Sequence, residues 1–478
     1  MSRAIISLPC LLLLVASSCG TEPEEQRPDV LLLVIDTLRA DHLSCYGYDR
    51  PTSPVIDALA ERGALFTRAS AQAPWTLPSM SSMWTSRYFT AHRDFPEDGA
   101  PTLAQSFQAG GYHTIGVVGN PLLESNLGFG WGFDEYELLP ENSDNTFPDL
   151  LELLRAPLDL AVAAEDRAPL FLYVHAFDPH APYVAHPEYD DVLPPGGAPK
   201  ILPAGWQEEV LERYGPTPPE EDPGWGKALR SLHRERGRYD QEIRFADTNV
   251  GTLLEMLEQR GISDSLLIVL VSDHGEGLYE HVTPASIDKL KVSRPKNLFF
   301  GGHGYDLSEQ ALRTPFLLVG PGVPPGSRFG EPVENVDLFP TLLTLCDLPR
   351  PGDLHGVDLS ALFSGDADPD GWRTESYAYI KWYACVRDEV SQLKLVVPTE
   401  ITEEKGGRGA TLYHLGDDPR ERNNLAEELP DEFSRLSDRL EAYLERYPTT
   451  IQRVDERISL DRLRALGYAG QGSEDEDD

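Results

Sequence analysis

Unbroken apolar runs recur along the chain. Val30-Leu-Leu-Leu-Val-Ile35 is apolar at six successive positions, the pattern of a strand buried on both faces. Thr114–Val118, Leu170–Val174, Leu266–Val271 and Phe316–Val319 repeat it. Stretches with helical spacing lie between them, among them Pro54–Gly63, Pro101–Gly110 and Arg244–Arg260. This alternation predicts an α/β fold with a large, mostly parallel sheet sandwiched by helices. Beyond about Pro349 the rhythm weakens. There Tyr377–Val386 and Gln392–Val397 predict two short antiparallel strands, and Pro430–Tyr447 predicts an amphipathic helix.

Ligands in such sheets bind beyond the carboxyl ends of the strands, so the residues that follow each run carry the information. Asp36 follows the first run. Gly119 and Asn120 follow the second; His175, Asp178 and His180 follow the third. Ser272-Asp273-His274-Gly275-Glu276 follows the fourth. Each residue alone also reads as a cap or a turn former. Together they bring carboxylates and imidazoles to one sheet edge, a donor set suited to Zn²⁺ or Mn²⁺, whereas Mg²⁺ and Ca²⁺ prefer oxygen alone.

Composition narrows the partners. The 478 residues include 79 acidic and 41 basic side chains, a formal net charge of −38. That argues against nucleic acid, which needs clustered Lys and Arg. It leaves room for a small anionic substrate, because a bound metal dominates its local field. Cysteine is scarce: past Cys10 and Cys19 only Cys45, Cys346 and Cys385 remain, with no CxxC pair, which argues against a thiolate zinc site. Cys45 follows the first strand but has no evident base partner, and its default reading is a small packed residue.

The ordered motifs resemble the sulfatase family, within the alkaline phosphatase superfamily, from about Asp29 to about Gly470. They are Pro28–His42 with its strand and first ligand, Pro74–Ser86, His175–Tyr183, Val271–Glu276, Gly302-His-Gly304, Val336–Leu343 and Asp418–Leu425. The resemblance implies a catalytic domain over 29–350 and a small C-terminal α+β subdomain over 351–470. It also implies an ester hydrolase for sulfuric or phosphoric esters. Carried over by position, Asp36, Asp273 and His274 hold a divalent metal. Thr76 is the nucleophile and a further ligand, opening a helix after the Thr76–Ser79 turn, and His180 and His303 stabilise charge on the reacting group or the leaving oxygen.

The departures from the family pattern are chemical. The oxidisable Cys or Ser of Cys/Ser-x-Pro-x-Arg is Thr76, and the Arg is Met80. Threonine cannot give the formylglycine aldehyde, so formylglycine is not expected. The family's second aspartate is Thr37, its Gly-Lys-x-His segment is Gly119-Asn-Pro-Leu122, and its late lysine is His303. This resembles the Thr-nucleophile branches of the superfamily. With cationic side chains replaced by an Asp-His-His set, Asp178, His180 and His303 are expected to form a second metal site beside the first. One or two ions of Zn, Mn, Ca or Mg are therefore expected; two would clamp the attacking and leaving oxygens from about 4 Å apart. The substrate is expected to be a small, or a glycan- or lipid-linked, anionic ester. The alternatives are an envelope phosphodiesterase or phosphoryl-group transferase, and an inactive lipoprotein that binds anionic glycans.

The ends bear on location. Residues 1–18 combine Arg3 with a short apolar run, as in a secretory signal, and Ala16-Ser-Ser-Cys19 resembles a bacterial lipobox. The expectation is export to the cell envelope, with Cys19 lipidated as the first mature residue and membrane contact only through that anchor. A periplasmic or secreted form is the alternative. Residues 19–28 read as a tether and 471–478 as an acidic disordered tail. Lys289, Lys291, Arg294 and Lys296 form a basic stretch within 282–301, either a solvated insertion or a steering patch for an anion. Trp75, Trp84, Tyr88 and Phe89 flank the nucleophile as core packing or as a leaving-group pocket.

Overall fold

The structure, a computed structural model, describes residues 27–88, 96, 100–140, 146–194, 223–263, 265–278, 301–304, 306–365, 372–399 and 409–447. The signal segment, Cys19, most of the tether, Phe89, the four basic residues of 282–301 and the acidic tail lie outside the described residues. Among those described, no helix is long and apolar enough to cross a membrane.

The main sheet has eight strands: β1 (Val30–Ile35), β2 (Ala64–Phe66), β3 (His113–Val118), β4 (Glu135–Leu138), β5 (Leu170–Ala176), β6 (Leu267–Val271), β7 (Phe316–Val319) and β8 (Ser327–Phe329). Their order is β8-β2-β7-β6-β1-β5-β3-β4, and only β7 runs antiparallel to its neighbours. β1 lies at the centre because both of its faces are apolar. Val30, Leu32 and Val34 enter one core with α2 (Thr76–Thr85), α3 (Leu103–Ala109) and the helix Leu338–Leu345. Leu31, Leu33 and Ile35 enter the other with α1 (Pro54–Arg62), α4 (Phe147–Val162) and α5 (Pro223–Glu258).

Register places the site. Val34 lies level with His175 and Val271, and Val118 is also level with His175. Four strands thus end along one line, and Asp36, Asn120, His175 and Asp273 all emerge there.

Beyond residue 372 a four-stranded antiparallel sheet forms, in the order β9 (Glu375–Ile380), β10 (Tyr383–Asp388), β11 (Leu393–Pro398), β12 (Thr411–His414). The helix Pro430–Arg446 covers it with Leu436, Leu440 and Tyr443. The expected single strand Tyr377–Val386 is in fact a hairpin that turns at Lys381-Trp382. No Gly, Asn or Asp marks that turn, and the apolar residues continue through it.

Candidate active site

The turn after β6 is built by its own hydrogen bonds. Ser272 Oγ accepts from the Leu38 N–H at 2.9 Å and donates to His274 O at 2.7 Å. Asp273 Oδ1 accepts from the backbone N–H of Thr37 (3.2 Å) and of His274 (2.9 Å). Thr37 takes a left-handed φ of 54° to present its amide there. After β1, Asp36 Oδ2 accepts from Asn120 Nδ2 at 2.7 Å and faces His175 Nε2 at 3.3 Å. The Tyr173 hydroxyl lies 2.9 Å from His175 Nδ1, which leaves the Nε2 proton for Asp36.

Each carboxylate thus has one oxygen engaged. The other two, Asp36 Oδ1 and Asp273 Oδ2, are buried without a hydrogen-bond partner among the described residues. Such orphans are costly and ask for an explanation. His274 Nε2 lies 3.8 Å from Asp36 Oδ1 and 3.3 Å from Asp273 Oδ2, and one donor atom from each residue falls within 4.8 Å of the others. His274 Nδ1 sits 2.8 Å from Gly275 O, so the proton belongs on Nδ1 and the Nε2 lone pair faces the carboxylates.

The electrostatics agree. Burial and the charge of Asp36 push Asp273 upward. Burial also works to raise Asp36, but the His175 hydrogen bond and the imidazoles of His180, His175 and His274 outweigh it and hold Asp36 well below the usual carboxylate range. Two like charges this close compete for ionisation unless a cation joins them. Two orphaned carboxylate oxygens and one imidazole nitrogen fit a divalent cation.

Thr76 is the first residue of α2, so the helix begins at Thr76 itself and not after the Thr76–Ser79 turn. Pro78 is tolerated because first-turn N–H groups have no helical partner anyway. Thr76 Oγ1 lies 3.3 Å from His274 Nε2 and accepts from Asn120 Nδ2 at 3.2 Å. Ser79, in the same turn of α2, donates to Asp273 O at 2.5 Å. The helix start is therefore tied directly to the β6 turn.

His180 and His303 adjoin this group. The His303 ring lies 4.4 Å from that of His274 and 4.9 Å from that of His180. His180 Nδ1 is 2.6 Å from Ala181 O, and His303 Nδ1 is 3.1 Å from Glu276 Oε1. Burial lowers both imidazoles, His303 to about 4.

Asp178 does not join them. Its Oδ2 accepts from the Phe147 N–H at 2.8 Å, at the head of α4. A helix start leaves such donors unpaired, and a nearby carboxylate is their natural acceptor. Burial and the charge of Glu242 push Asp178 up to about 7. Among the described residues, only Asp36, Asp273 and His274 form a metal-ligating group of three.

The sulfatase family model matches residues 28–348. The chain belongs to the sulfatase family. A second model, the N-sulphoglucosamine sulphohydrolase C-terminal region, matches 303–449 of this sulfatase-family chain. Human iduronate 2-sulfatase is 27% identical over 423 residues, covering 73% of this chain and 75% of that one. Choline-sulfatase of Rhizobium meliloti is 24% identical over 462 residues, covering 84% and 83%. The phosphonate monoester hydrolase of Agrobacterium radiobacter superposes with a TM-score of 0.65 at 20% identity, covering 88% of this chain and 96% of that one. A structure in complex with its substrate D-glucosamine-2-N,6-O-disulfate superposes at 0.68 and 19% identity, covering 88% and 98%. At such identities the structures speak for the fold, and the family is one of ester hydrolases.

Three site residues are not evident as such in the sequence of this family member. Asn120 lies two residues past β3 and His175 is the last but one residue of β5, a position at the strand ends that is a signal, but one shared with ordinary turn and strand residues. Glu276, fully buried and bonded to His303, reads in sequence as one more acid in a turn. The flanking residues sort into the bland readings. Trp84 is buried against Tyr173, and Tyr88 donates to Glu334 Oε2 at 3.0 Å. The Cys45 thiol is pushed up by burial and by Asp57, which disfavours a reactive thiolate.

Proposed function

We propose that this protein is a divalent-cation-dependent hydrolase of sulfuric or phosphoric esters in which Thr76 is the nucleophile. One observation carries the reading: the Thr76 hydroxyl stands 3.3 Å from His274 Nε2, beside two buried carboxylate oxygens that have no hydrogen-bond partner among the described residues. Asp36, Asp273 and His274 would hold the cation, with Thr76 Oγ1 within their reach. A bound cation supplies the field that lets a hydroxyl ionise near neutral pH.

The rest is done by the chain. Asn120 donates into Thr76 Oγ1, which orients the hydroxyl proton away from the amide. Thr76 Oγ1 forms a bond to the sulfur or phosphorus as the bond to the leaving oxygen breaks. The imidazoles of His180 and His303 present Nε2 because Nδ1 is engaged by Ala181 O and Glu276. One of them takes the Thr76 hydroxyl proton and gives it to the leaving oxygen, then takes a proton from the water that attacks the threonine ester and gives it back to Thr76 Oγ1 as that bond breaks. The first turn of α2 adds backbone N–H groups that favour the anion.

The substrate we propose is an anionic ester on a sugar, a lipid or a small molecule, met at the cell envelope by a protein anchored through Cys19. A second reading is phosphodiester cleavage or phosphoryl-group transfer. It draws on the donor types, since Asn120 and His303 stand where the family carries lysines.

The test is an assay of the mature protein with Mn²⁺ or Zn²⁺ on aryl sulfate, aryl phosphate monoester and aryl phosphodiester, beside Thr76→Ala and Asp273→Ala. Turnover that falls at least roughly 10³-fold in both variants is expected. Wild-type turnover that survives Thr76→Ala removes the nucleophile, and silence on all three substrates favours the glycan-binding reading. Metal content well under one equivalent after gentle loading removes the cation. For the anchor, Cys19→Ala should move the protein from the membrane fraction to the soluble one; unchanged fractionation rejects the lipid.

A further inference from the structure

The β6 turn is held from behind by a short helix, α6 (Glu309–Leu312), reached from His303 through Leu307 and Ser308. Gly275 N–H donates to Ala311 O at 2.8 Å, and Glu276 N–H donates to Gln310 O at 3.0 Å. The fit has no slack: a Cβ on Gly275 would fall 2.0 Å from Gln310 O. Whatever fixes α6 therefore fixes the turn that carries Asp273, His274 and Glu276, and Glu276 in its turn holds His303.

A four-residue helix has no stability of its own. It is fixed from the C-terminal sheet. Lys394 of β11 is wholly buried, and its Nζ lies 2.5 Å from Leu307 O, 2.9 Å from Glu309 Oε1 and 2.7 Å from Glu421 Oε1. An ammonium has three donors, and each meets an oxygen. Arg387 reaches Glu309 Oε1 at 2.6 Å, and the Glu309 N–H donates to Glu421 Oε2 at 2.7 Å. Buried ion pairs are weak devices for stability, since well-packed apolar side chains often do as well. Their bonds are directional, and here they converge on Glu309, the first residue of α6, and on Leu307 O just before it.

We infer that Lys394 is a positioning residue for ester hydrolysis: its ammonium pins α6, and α6 pins the Asp273–Glu276 turn and, through Glu276, His303. This rests on the catalytic role proposed for that turn. The C-terminal sheet is then part of the catalytic apparatus although it places no side chain on the reacting atoms.

The experiment uses the full-length mature protein. Lys394→Met/Glu421→Gln removes the ammonium and one of its counter-charges together, while Glu309 keeps Arg387. Lys394→Arg keeps the charge but replaces a three-donor point with a planar fork. Arg435→Gln is the control, because it breaks the 2.6 Å pair with Asp388 in the same sheet without touching α6. Three quantities are read: cooperativity of thermal melting, amide exchange at Gly275 and Glu276 relative to β1, and kcat and KM on whichever ester the panel identifies.

The double variant should melt cooperatively, exchange the two turn amides at least about 10-fold faster than wild type, and lose roughly 10²-fold in kcat with KM within about 3-fold. Lys394→Arg should lie between the double variant and wild type, and Arg435→Gln should match wild type. A folded double variant with wild-type turn exchange and kcat overturns the inference, and so does an equal loss in Arg435→Gln. If the double variant does not fold, Lys394→Arg decides on the same readouts. If the wild type hydrolyses no ester, the proposed function falls, and the exchange rates alone decide whether Lys394 holds the turn.

Discussion

Both amide hydrogens of Asn120 are spent. Its Nδ2 donates to Asp36 Oδ2 and Thr76 Oγ1, and its Oδ1 accepts from the Leu122 N–H at 2.9 Å. A residue spent in this way acts by holding its neighbours, so its loss should appear in turnover more than in binding. Asn120→Ala is expected to lower kcat by about 10- to 100-fold, with KM changed little and cation affinity reduced. Steady-state kinetics and a cation titration check this, and a variant with wild-type kcat would show that the two bonds do not matter. At this scale the sequence separates candidate ligands from lookalikes only in part. Asp36, Asp273 and His274 stand out because they follow long strands that can only be central. Asp178 follows one too, yet caps α4, and an Asp two residues from a His carries no mark that distinguishes the two fates.

Elements were legible where burial leaves a strong pattern. β1 and β7 end where the apolar runs end, because both faces of each strand are covered. β2, β4 and β8 carry three or four residues each, with β4 and β8 at the sheet edges, too short for alternation to register. α1 owes its start to a distant residue: Asp247 of α5 accepts from the Val55 N–H at 3.0 Å and the Ile56 N–H at 2.8 Å. No local pattern announces a cap supplied from so far along the chain. Burial pushes Asp247 up to about 6, so the folded state keeps a proton that the unfolded chain releases near its ordinary value of 3.8. The contribution of this group to stability is therefore complete below about pH 4 and is lost as pH rises through 6. Asp247→Asn keeps the accepting oxygen and removes the buried charge. Its melting temperature relative to wild type should rise between pH 4 and pH 7 and then level off. Melting curves across that range test it, and a difference that falls with pH would contradict the assignment.

Over the whole molecule, the boundary near residue 350 that the change of rhythm marks is not a boundary in the core. Tyr88 and Val336 pack with Leu393, Leu395, Leu412 and Leu436 in one cluster, and Leu307 and Leu312 pack with Ala378, Ile380 and Cys385 in another. Charges cross the same line. Arg373 pairs with Glu334 at 3.0 Å and with Asp337 at 2.6 Å, all three side chains being at most 8% exposed. Glu309 depends on Arg387 and Lys394 in the same way. A chain cut to 29–350 would keep Glu309, Glu334 and Asp337 and lose every one of these partners. Removing one partner from a buried pair costs about 3–5 kcal/mol, and a whole domain is stable by about 5–15 kcal/mol. Two such losses, with the apolar faces of both clusters laid open to water, are enough to exhaust that margin. The 29–350 fragment is accordingly expected to show no cooperative melting transition by circular dichroism and to bind no cation at the Asp36 site. A sharp transition in the isolated fragment would mean that the sheet beyond residue 372 is an accessory, and it would remove the physical basis for routing the geometry of the β6 turn through Lys394.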